Sequence, residues 1–427
     1  MGSSRRVFMQ SGAVAGLGLG VAACTSAPSA PAPAAAGPHP AIAALTPMTA
    51  GVKPITANER AARIEQARRL MVDNKIGAIY LEGGSSMFYF TGVRWGNSER
   101  PFVCVIPAKG DLAWVCPAFE EERARELVKG QADVRVWQED ESPYRLIAGI
   151  LKDRAATGRV GVDERLRHFI FSGVKKELPG TDFVDGEPIT AGCRMIKSAT
   201  ELALMQKASD ITIEAFRAAF QTFREGMTQD DLRANIAAAH RALGAPGGSA
   251  SVSFGKFTAF PHGSIEPQKL AEGDVIQVDG GCAIDGYQSD ITRTTVLGKA
   301  SARQIEIWEL EKKAQAAAFA VVKPGTPCEA VDAAARKAIT DAGFGPDYKV
   351  PGLPHRTGHG IGLDGHEWTN FVRGNKTLLA PGMCFSNEPM IAIYGEFGIR
   401  LEDCLYVTEA GAQYFSQPSP SIDKPFA

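Results

Sequence analysis

The sequence predicts an α+β protein in which a smaller α/β domain precedes a larger domain of paired helices and β-hairpins. Between residues 56 and 190, short apolar strand patterns alternate with helical patterns, as in α/β domains. Between residues 191 and 427, long helical patterns occur in pairs around two hairpin signals, which indicates a curved sheet. The chain has 427 residues, which is longer than a typical domain built around a single hydrophobic core. Two domains are therefore expected.

The first 24 residues resemble an export signal. Arg5 and Arg6 look like a twin-arginine motif, and the glycine-rich apolar stretch after them is too short for a membrane span. The segment ending at Cys24 resembles a lipobox, which would make Cys24 an acylated residue; the alternative is ordinary cleavage nearby, with Cys24 incidental. We therefore expect the protein to be exported by the twin-arginine route. It would then be either free in the periplasm or tethered to a membrane and facing the periplasm.

Residues 25–55 are rich in alanine and proline and nearly uncharged, so they are predicted to form a flexible tether outside the fold. The following domain should begin with a helix capped near Asn58 and carries no catalytic constellation. Its aromatic run at 88–95 either packs in the core or reaches a neighbouring active site.

Composition excludes some classes of function. The net charge is −2 and no basic stripe occurs, so a nucleic-acid partner is not expected. The eight cysteines contain no Cys-x-x-Cys pair that would suggest a zinc site. Cys104 and Cys116 lie on successive predicted strands, and the sequence leaves open whether they form a disulfide.

The first predicted hairpin carries two acidic residues. Asp285 and Gly286 form an Asp-Gly dipeptide between two β-rich runs, and this dipeptide supplies the positive φ angles of a tight turn. Asp279 precedes the turn and Asp290 follows it, so antiparallel strands would bring them together. Two adjacent carboxylates repel, which costs stability unless a cation or a proton compensates.

The second predicted hairpin repeats this arrangement. Glu388 precedes one strand, and a glycine-bounded turn at 395–398 returns the chain towards Glu402. Because side chains alternate along a strand, Arg400 and Glu402 share one face and Asp403 takes the other. We predict Glu402 as the functional acid, supported by Arg400, with Asp403 as the weaker candidate.

A glycine-rich loop supplies a histidine, His359, between Gly358 and Gly360. The candidate metal ligands are therefore Asp279, Asp290, His359, Glu388 and Glu402. Two divalent ions would neutralise the carboxylates of this set, and its oxygen and imidazole donors suit Mn, Fe, Co or Zn better than Ca or Mg. The alternative is a set of unrelated surface acids and turn residues.

These motifs resemble those of the pita-bread metallopeptidases, and most closely the proline-specific branch that includes aminopeptidase P and prolidase. The matching features are the Asp before Ile-Thr-Arg-Thr, the His in His-Gly-Ile-Gly, and the Glu residues of Asn-Glu-Pro and Ile-Arg-Leu-Glu-Asp. The resemblance covers roughly residues 58–415. It implies a pita-bread (creatinase/aminopeptidase) catalytic domain after a creatinase-type N-terminal domain, and a homodimer.

The resemblance also implies a role for each candidate ligand. Asp279 would bind one metal ion, and His359 and Glu388 would bind the other. Asp290 and Glu402 would bridge the two ions. We expect manganese, with cobalt, zinc or iron as alternatives.

Further site residues follow from the same resemblance. His262 and His366 would contact the substrate and act in catalysis, by stabilising the tetrahedral intermediate or moving protons. His355 would line the pocket for the leaving proline, and Glu367 would orient His366. For each histidine, the alternative is a loop side chain with a structural role.

Two remaining residues complete the predicted chemistry. Glu388 would take a proton from the attacking water and pass it to the leaving nitrogen. Arg400 is also a candidate for substrate binding.

The implied activity is hydrolysis of the Xaa-Pro bond by a dinuclear metallo-exopeptidase, either an aminopeptidase or a dipeptidase, acting on small peptides with proline second. The alternative is a metal-dependent hydrolase or lyase of a small non-peptide amide or osmolyte on the same scaffold. A non-catalytic binding protein is a third class, but such relatives have lost the ligands. The sequence does not distinguish dipeptides from longer substrates.

Overall fold

The structure is a computed structural model that describes residues 37–130, 133–154 and 158–427, and residues 38–427 form one compact unit. The predicted export signal, Cys24 and the first part of the predicted tether lie outside the described residues. Within the described ranges, no helix combines the length and the apolar character needed to cross a bilayer.

The segment just before the first domain is packed, so the predicted tether is wrong for this part of the chain. A short helix, α1 (Pro40–Ala43), buries Ile42, and Ile55 is buried as well. The backbone N–H of Met48 donates to the carbonyl of Leu243 at 2.9 Å. A few apolar side chains anchor a segment whose average composition resembles a linker.

The first domain is a mixed six-stranded sheet with helices. Its helices are α2 (Ala57–Asp73), α3 (Ser85–Thr91), α4 (Glu121–Val128), α5 (Pro143–Asp153), α6 (His168–Glu177) and α7 (Glu187–Arg194). Its strands are β1 (Ile76–Glu82), β2 (Val103–Pro107), β3 (Ala113–Pro117), β4 (Asp133–Trp137), β5 (Arg159–Val162) and β6 (Asp182–Asp185). The strand order is β4-β3-β2-β1-β5-β6, which confirms the predicted α/β character.

Local details of this domain correct the sequence-based expectations. The cap of α2 is Thr56, which forms a reciprocal capping box with Glu59, and not Asn58. Cys104 and Cys116 are both free and buried. Cys104 lies opposite Trp114 in the β2–β3 pair, so Cys116 is a diagonal neighbour, and this separation exceeds the reach of a disulfide.

The aromatic run at 88–95 contributes mainly to the core. Phe88, Tyr89 and Phe90 of α3 are buried, and Arg63 of α2 donates to the carbonyl of Tyr89 at 2.9 Å. The ring of Trp95 stacks on a neighbouring aromatic ring of the same domain.

The second domain places four helices around antiparallel sheets. Its helices are α8 (Ala199–Phe220), α9 (Gln229–Ala242), α10 (Ala302–Ala320) and α11 (Cys328–Asp341). Its first strands are β7 (Ser249–Phe254), β8 (Val275–Gly281), β9 (Ala283–Ile284), β10 (Tyr287–Gln288) and β11 (Ile291–Val296). The later strands are β12 (Gly358–Gly360), β13 (Glu367–Phe371), β14 (Cys384–Asn387), β15 (Met390–Ile393), β16 (Phe397–Arg400), β17 (Asp403–Thr408) and β18 (Gly411–Tyr414).

Sheet topology brings the two predicted hairpins together. Strands β11, β8 and β7 form one sheet, and β13, β12, β14, β17 and β18 form another. An isolated bridge between Thr292 and Glu402 joins the two sheets. Capping boxes at Ser198, Thr228 and Ser301 start three of the surrounding helices.

Candidate metal centre

The first hairpin turns where the sequence predicts. Asp285 and Gly286 have φ angles of 48° and 92°, and they connect β9 to β10. On the adjoining strands, Asp279 of β8 lies opposite Thr292 of β11. Asp290 immediately precedes β11, so both aspartates lie at the same end of this ribbon.

The second hairpin is nested. Strand β14 pairs with β17, with Asn387 opposite Asp403, and β15 pairs with β16, with Met390 opposite Arg400. Glu388 and Glu402 therefore occupy the breaks between the paired strands. The bridge from Glu402 to Thr292 places these breaks beside the first hairpin.

His359 lies on β12 and faces the acids of both hairpins. Its Nδ1 lies 3.1 Å from the carbonyl oxygen of Gly360, which can only accept, so Nδ1 carries the proton. The Nε2 atom lies 3.2 Å from Oε1 of Glu388 and 3.8 Å from Oδ2 of Asp290. Gly358 makes this approach possible, because a Cβ there would lie 2.1 Å from the carbonyl oxygen of Ser386.

The donor set fits divalent cations. Asp290, His359 and Glu402 each offer a ligand atom, and these atoms lie within 4.8 Å of one another. Asp279 and Glu388 are close enough to act electrostatically on both Asp290 and Glu402. The structure thus brings together all five predicted ligands in a largely carboxylate and imidazole environment.

The electrostatics of this cluster point in the same direction. Burial, and then repulsion from Asp279, raises the pKa of Asp290 to about 7. Burial and repulsion from Asp290 also raise the pKa of Glu402 well above its usual range. Raised pKa values mean that these carboxylates destabilise the metal-free fold when they are ionised. Bound cations would remove this destabilisation by neutralising the shared negative charge.

Glu388 and His359 behave as an ion pair inside this cluster. Burial opposes a charge on Glu388, but the hydrogen bond with His359 and the positive charges around it together outweigh burial, and the pKa of Glu388 is lowered. Burial likewise opposes a charge on His359, whereas the contact with Glu388 raises its pKa. A cation bound by both side chains would replace this proton-mediated contact.

Arg400 supports the cluster from behind. Its Nη2 donates to Asp279, its Nε donates to Thr292 Oγ1 at 3.2 Å, and its Nη1 donates to the carbonyl of Pro261 at 2.9 Å. The predicted support of Glu402 is therefore indirect, because Thr292 Oγ1 donates to Glu402 Oε2 at 2.7 Å. The side chain is 3% exposed and each of its nitrogen atoms donates a hydrogen bond, and its predicted contact with the substrate stays a prediction.

Asp403 faces away from the cluster, as strand alternation predicts. Its carboxylate accepts hydrogen bonds from Arg293 at 2.7 Å, Ser416 at 2.5 Å and Gln315 at 3.2 Å. All of these groups are buried. These contacts form a closed, buried hydrogen-bond network around Asp403.

The predicted histidines line the open side of the centre. The ring of His366 lies 3.9 Å from that of His359, between centroids, and both His366 and His262 are exposed. Neighbouring side chains remove part of the His366 ring from water, and this partial desolvation together with His359 lowers the pKa of His366 to about 4, so it is neutral at pH 7. The Nε2 atom of His355 is buried without a hydrogen-bond partner among the described residues, as expected for a group that awaits a ligand.

Glu367 does not orient His366, contrary to the sequence-based expectation. Its carboxylate binds Lys197 at 3.1 Å and also binds Arg194, and these charges lower its pKa to about 2 although burial opposes this. Arg194 also binds Asp364 at 2.5 Å. This buried network, which sequence analysis missed, fixes the loop that carries His366.

Comparison with known proteins agrees with this geometry. Residues 203–409 match the model of metallopeptidase family M24, and residues 63–196 match that of the creatinase/prolidase N-terminal domain. A Xaa-Pro dipeptidase from Lactobacillus delbrueckii subsp. lactis is 31% identical over 84% of this chain and 98% of its own length. The chain belongs to metallopeptidase family M24.

Solved structures extend the likeness of this M24 chain to the whole fold. Dipeptidase PepE from Mycobacterium ulcerans superposes with a TM-score of 0.79 at 31% identity, covering 86% of this chain and 97% of that one. A prolidase from Thermococcus sibiricus gives a TM-score of 0.77 at 30% identity, covering 84% and 97%. The predicted pita-bread catalytic domain with a creatinase-type N-terminal domain is confirmed, and membership of the family implies divalent metal ions.

Proposed function

We propose that this M24 metallopeptidase is an exopeptidase that hydrolyses the Xaa-Pro bond of small peptides with proline in the second position. The observation that carries the proposal is the convergence of Asp290, His359 and Glu402 within 4.8 Å. Relatives named Xaa-Pro dipeptidase support the substrate class, because their likeness covers both domains.

Asp279, Asp290, His359, Glu388 and Glu402 would hold two divalent ions. When bound, such ions lower the pKa of a shared water and polarise the scissile carbonyl. Glu388 would accept the proton of the attacking water and deliver it to the proline nitrogen. His262 and His366, on the open side, would hydrogen-bond the carbonyl oxygen as negative charge develops there.

His355 supplies a candidate contact for the proline side of the substrate. Its Nδ1 donates to the carbonyl of Arg356 at 2.7 Å, which leaves Nε2 without a proton and able to accept. Burial lowers the pKa of His355, so the ring is neutral when the substrate enters. A neutral ring suits a pocket for a largely apolar pyrrolidine.

The decisive experiment is a substrate panel with metal exchange. Purified protein is assayed on Xaa-Pro dipeptides, on longer Xaa-Pro peptides and on small non-peptide amides, with added Mn or Co and then with a chelator. We expect hydrolysis of Xaa-Pro substrates that the chelator abolishes and metal restores. Turnover of the non-peptide amides alone would replace this proposal with the alternative chemistry.

Glu388→Gln tests the proposed proton transfer. The variant should fold normally and lose turnover by about 10³-fold, because general-base catalysis and one metal ligand are both impaired. Glu396→Gln is the matched control, since Glu396 lies exposed in the turn between β15 and β16. Retained turnover in the Glu388 variant would refute this role.

The remaining proposals concern metal, assembly and location. We propose that manganese is the native metal, which elemental analysis would test, and that the protein is a homodimer, which light scattering would test.

We also propose twin-arginine export and a lipid tether at Cys24. Cell fractionation should find the wild-type protein with the membrane, and Cys24→Ala should release it.

A further inference from the structure

The loop that carries His366 is held by the first domain. This loop, residues 361–366, connects β12 to β13 in the second domain. At its centre, Oδ1 of Asp364 accepts a hydrogen bond from Oγ of Ser85 at 2.6 Å and lies 2.9 Å from Nη1 of Arg165. Ser85 lies on α3, and Arg165 lies between β5 and α6. Two separate elements of the first domain therefore meet at one carboxylate of the loop.

Arg165 contacts the loop at a second point. Its Nη2 donates to the backbone carbonyl of His366 at 3.2 Å, while its Nη1 faces Asp364. Because a guanidinium is planar and rigid, these two contacts fix the distance and the direction from Arg165 to both residues. The backbone N–H of Arg165 in turn donates to Oδ1 of Asp163 at 2.8 Å, which orders the segment that presents it. The backbone of His366 is therefore held directly from the first domain.

The first hairpin also holds this loop. The backbone N–H of Gln288 donates to the carbonyl of Gly362 at 2.8 Å, and the Nε2 atom of Gln288 donates to the carbonyl of Leu363 at 3.0 Å. Gln288 lies two residues before Asp290 in sequence. Contacts with the metal-bearing hairpin and contacts with the first domain together set where His366 lies.

We propose that Arg165 is a positioning residue, which aligns His366 with the carbonyl oxygen of the substrate. The inference rests on the proposed function, in which His366 hydrogen-bonds this oxygen as negative charge develops. Such a donor must be placed accurately, because a displacement of about 1 Å can lower the rate by about 100-fold. The proposed metal ligands and catalytic side chains all lie in the second domain, so the first domain contributes to catalysis through this contact.

The first test is Arg165→Ala, assayed on alanyl-proline. We expect kcat to fall by about 10-fold with little change in KM, because the donor is misplaced where charge develops while substrate binding is kept. The side chain of Arg165 is 52% exposed, and Asp364 keeps its ion pair with Arg194, so the variant should fold. Arg165→Lys keeps the charge and should recover part of the loss. A fall in kcat/KM that came entirely from KM would overturn the proposal.

A double-mutant cycle shows whether Arg165 acts through His366. His366→Ala removes the proposed donor, so adding Arg165→Ala to this variant should lower kcat by less than about 2-fold further. A purely structural role of Arg165 would instead give the same fall in kcat in both backgrounds, and that result would overturn the proposal.

Arg159→Ala is the matched control. The side chain of Arg159 is 46% exposed, pairs with Asp182 at 3.5 Å and donates to the backbone carbonyl of Asn74 at 3.1 Å. It therefore makes the same two kinds of contact as Arg165, but inside the first domain. Arg159→Ala should leave kcat and KM unchanged. A fall in kcat equal to that of Arg165→Ala would overturn the proposal, since the loss of any such contact in the first domain would then suffice.

Hydrogen exchange tests the contact without turnover. Inside the loop, the backbone N–H of Asp364 donates to Oε1 of Glu367 at 3.1 Å, and the N–H of Gly362 donates to the carbonyl of Asp364 at 3.1 Å. We expect both N–H groups to exchange about 5- to 10-fold faster in Arg165→Ala, and at the wild-type rate in Arg159→Ala. Unchanged exchange in Arg165→Ala would refute the role of Arg165, whereas failure of the wild type to hydrolyse any Xaa-Pro substrate would refute the proposed function.

Discussion

Glu402 and Asp403 are neighbours in sequence but face opposite environments. Glu402 points into a group of like charges, and its pKa is raised well above the usual range by burial and by Asp290. Asp403 points the other way, where Arg293, Ser416 and Gln315 satisfy its carboxylate. At this point of the chain, one side of the backbone therefore carries a negative charge without a cationic partner in the described part of the chain, and the other side carries a negative charge that is already paired.

The difference shows how the chain separates function from stability. A paired and hydrogen-bonded buried acid tolerates its environment, but removing its partner leaves a costly charge. An unpaired group of acids destabilises the metal-free fold and becomes favourable only with cations. Substituting the acid on the metal-facing side should therefore not lower the stability of the metal-free protein, whereas substituting the acid on the other side should lower it.

The largest effect is expected on the metal-facing side. Glu402→Gln should lower kcat/KM by about 10³-fold or more, because a proposed bridging ligand is lost. The same variant should be at least as stable as wild type without metal at pH 7.5, since it removes repulsion from Asp290. Activity assays and urea unfolding in the presence of a chelator check both parts. A strongly destabilised metal-free variant would contradict this account.

The opposite result is expected at Asp403. Asp403→Ala leaves the guanidinium of Arg293 buried without its carboxylate, and it should destabilise the protein by about 3–5 kcal/mol with or without metal. Urea unfolding measures this loss. Asp403→Asn keeps an acceptor and should cost less. If either variant changed only metal affinity and not stability, the separation of the two faces would be wrong.

The pH dependence of stability should reveal the repulsion among the acids on the metal-facing side. The folded-state pKa of Asp290 is raised to about 7, so the unfolded chain binds fewer protons than the folded chain between its ordinary value of about 4 and pH 7. This group therefore makes metal-free protein less stable as pH rises through that window. Added metal at 100 times its Kd should stabilise by about 2.7 kcal/mol near pH 7.5.

The metal effect should be smaller at pH 5.5, where protons compete for Asp290. Chemical unfolding with manganese or with a chelator at the two pH values measures the difference. Asp290→Asn is the control, since it lacks the titrating group and should lose this part of the pH dependence. An equal metal effect at both pH values would argue against cation binding by Asp290.

The parts of the site that local sequence rules describe were predictable. The Asp-Gly turn at Asp285 sets the first hairpin, and alternation along one strand distinguishes Glu402 from Asp403. The second domain as a whole followed from its motifs. Composition, by contrast, wrongly extended the tether to residue 55, because averaging over a segment hides single anchoring side chains such as Ile42.

Contacts between distant parts of the chain were not predictable. Adjacency in sequence predicts that Glu367 orients His366, but Glu367 binds Arg194, 173 residues away in sequence. Strand alternation predicts that Arg400 supports Glu402, but its guanidinium binds Asp279 of the other hairpin. Strand periodicity predicts on which face of a strand a side chain lies, but the groups that it contacts there depend on the tertiary fold.

The smallest expected effect concerns Thr292, which connects the two hairpins. Thr292→Val keeps the shape of the side chain but removes the hydroxyl that donates to Glu402 and accepts from Arg400. Metal affinity should fall by about 10-fold, as is typical when a group that orients a ligand is lost. Thr294→Val is the matched control, because Thr294 is equally buried on the same strand and donates to the backbone carbonyl of Arg400 at 2.6 Å. Both variants should lose about 1 kcal/mol of stability, but only Thr292→Val should weaken metal binding in a calorimetric titration with manganese. If both variants bound manganese equally well, the orientation of Glu402 would not depend on this hydroxyl, and the two hairpins would position their acids independently.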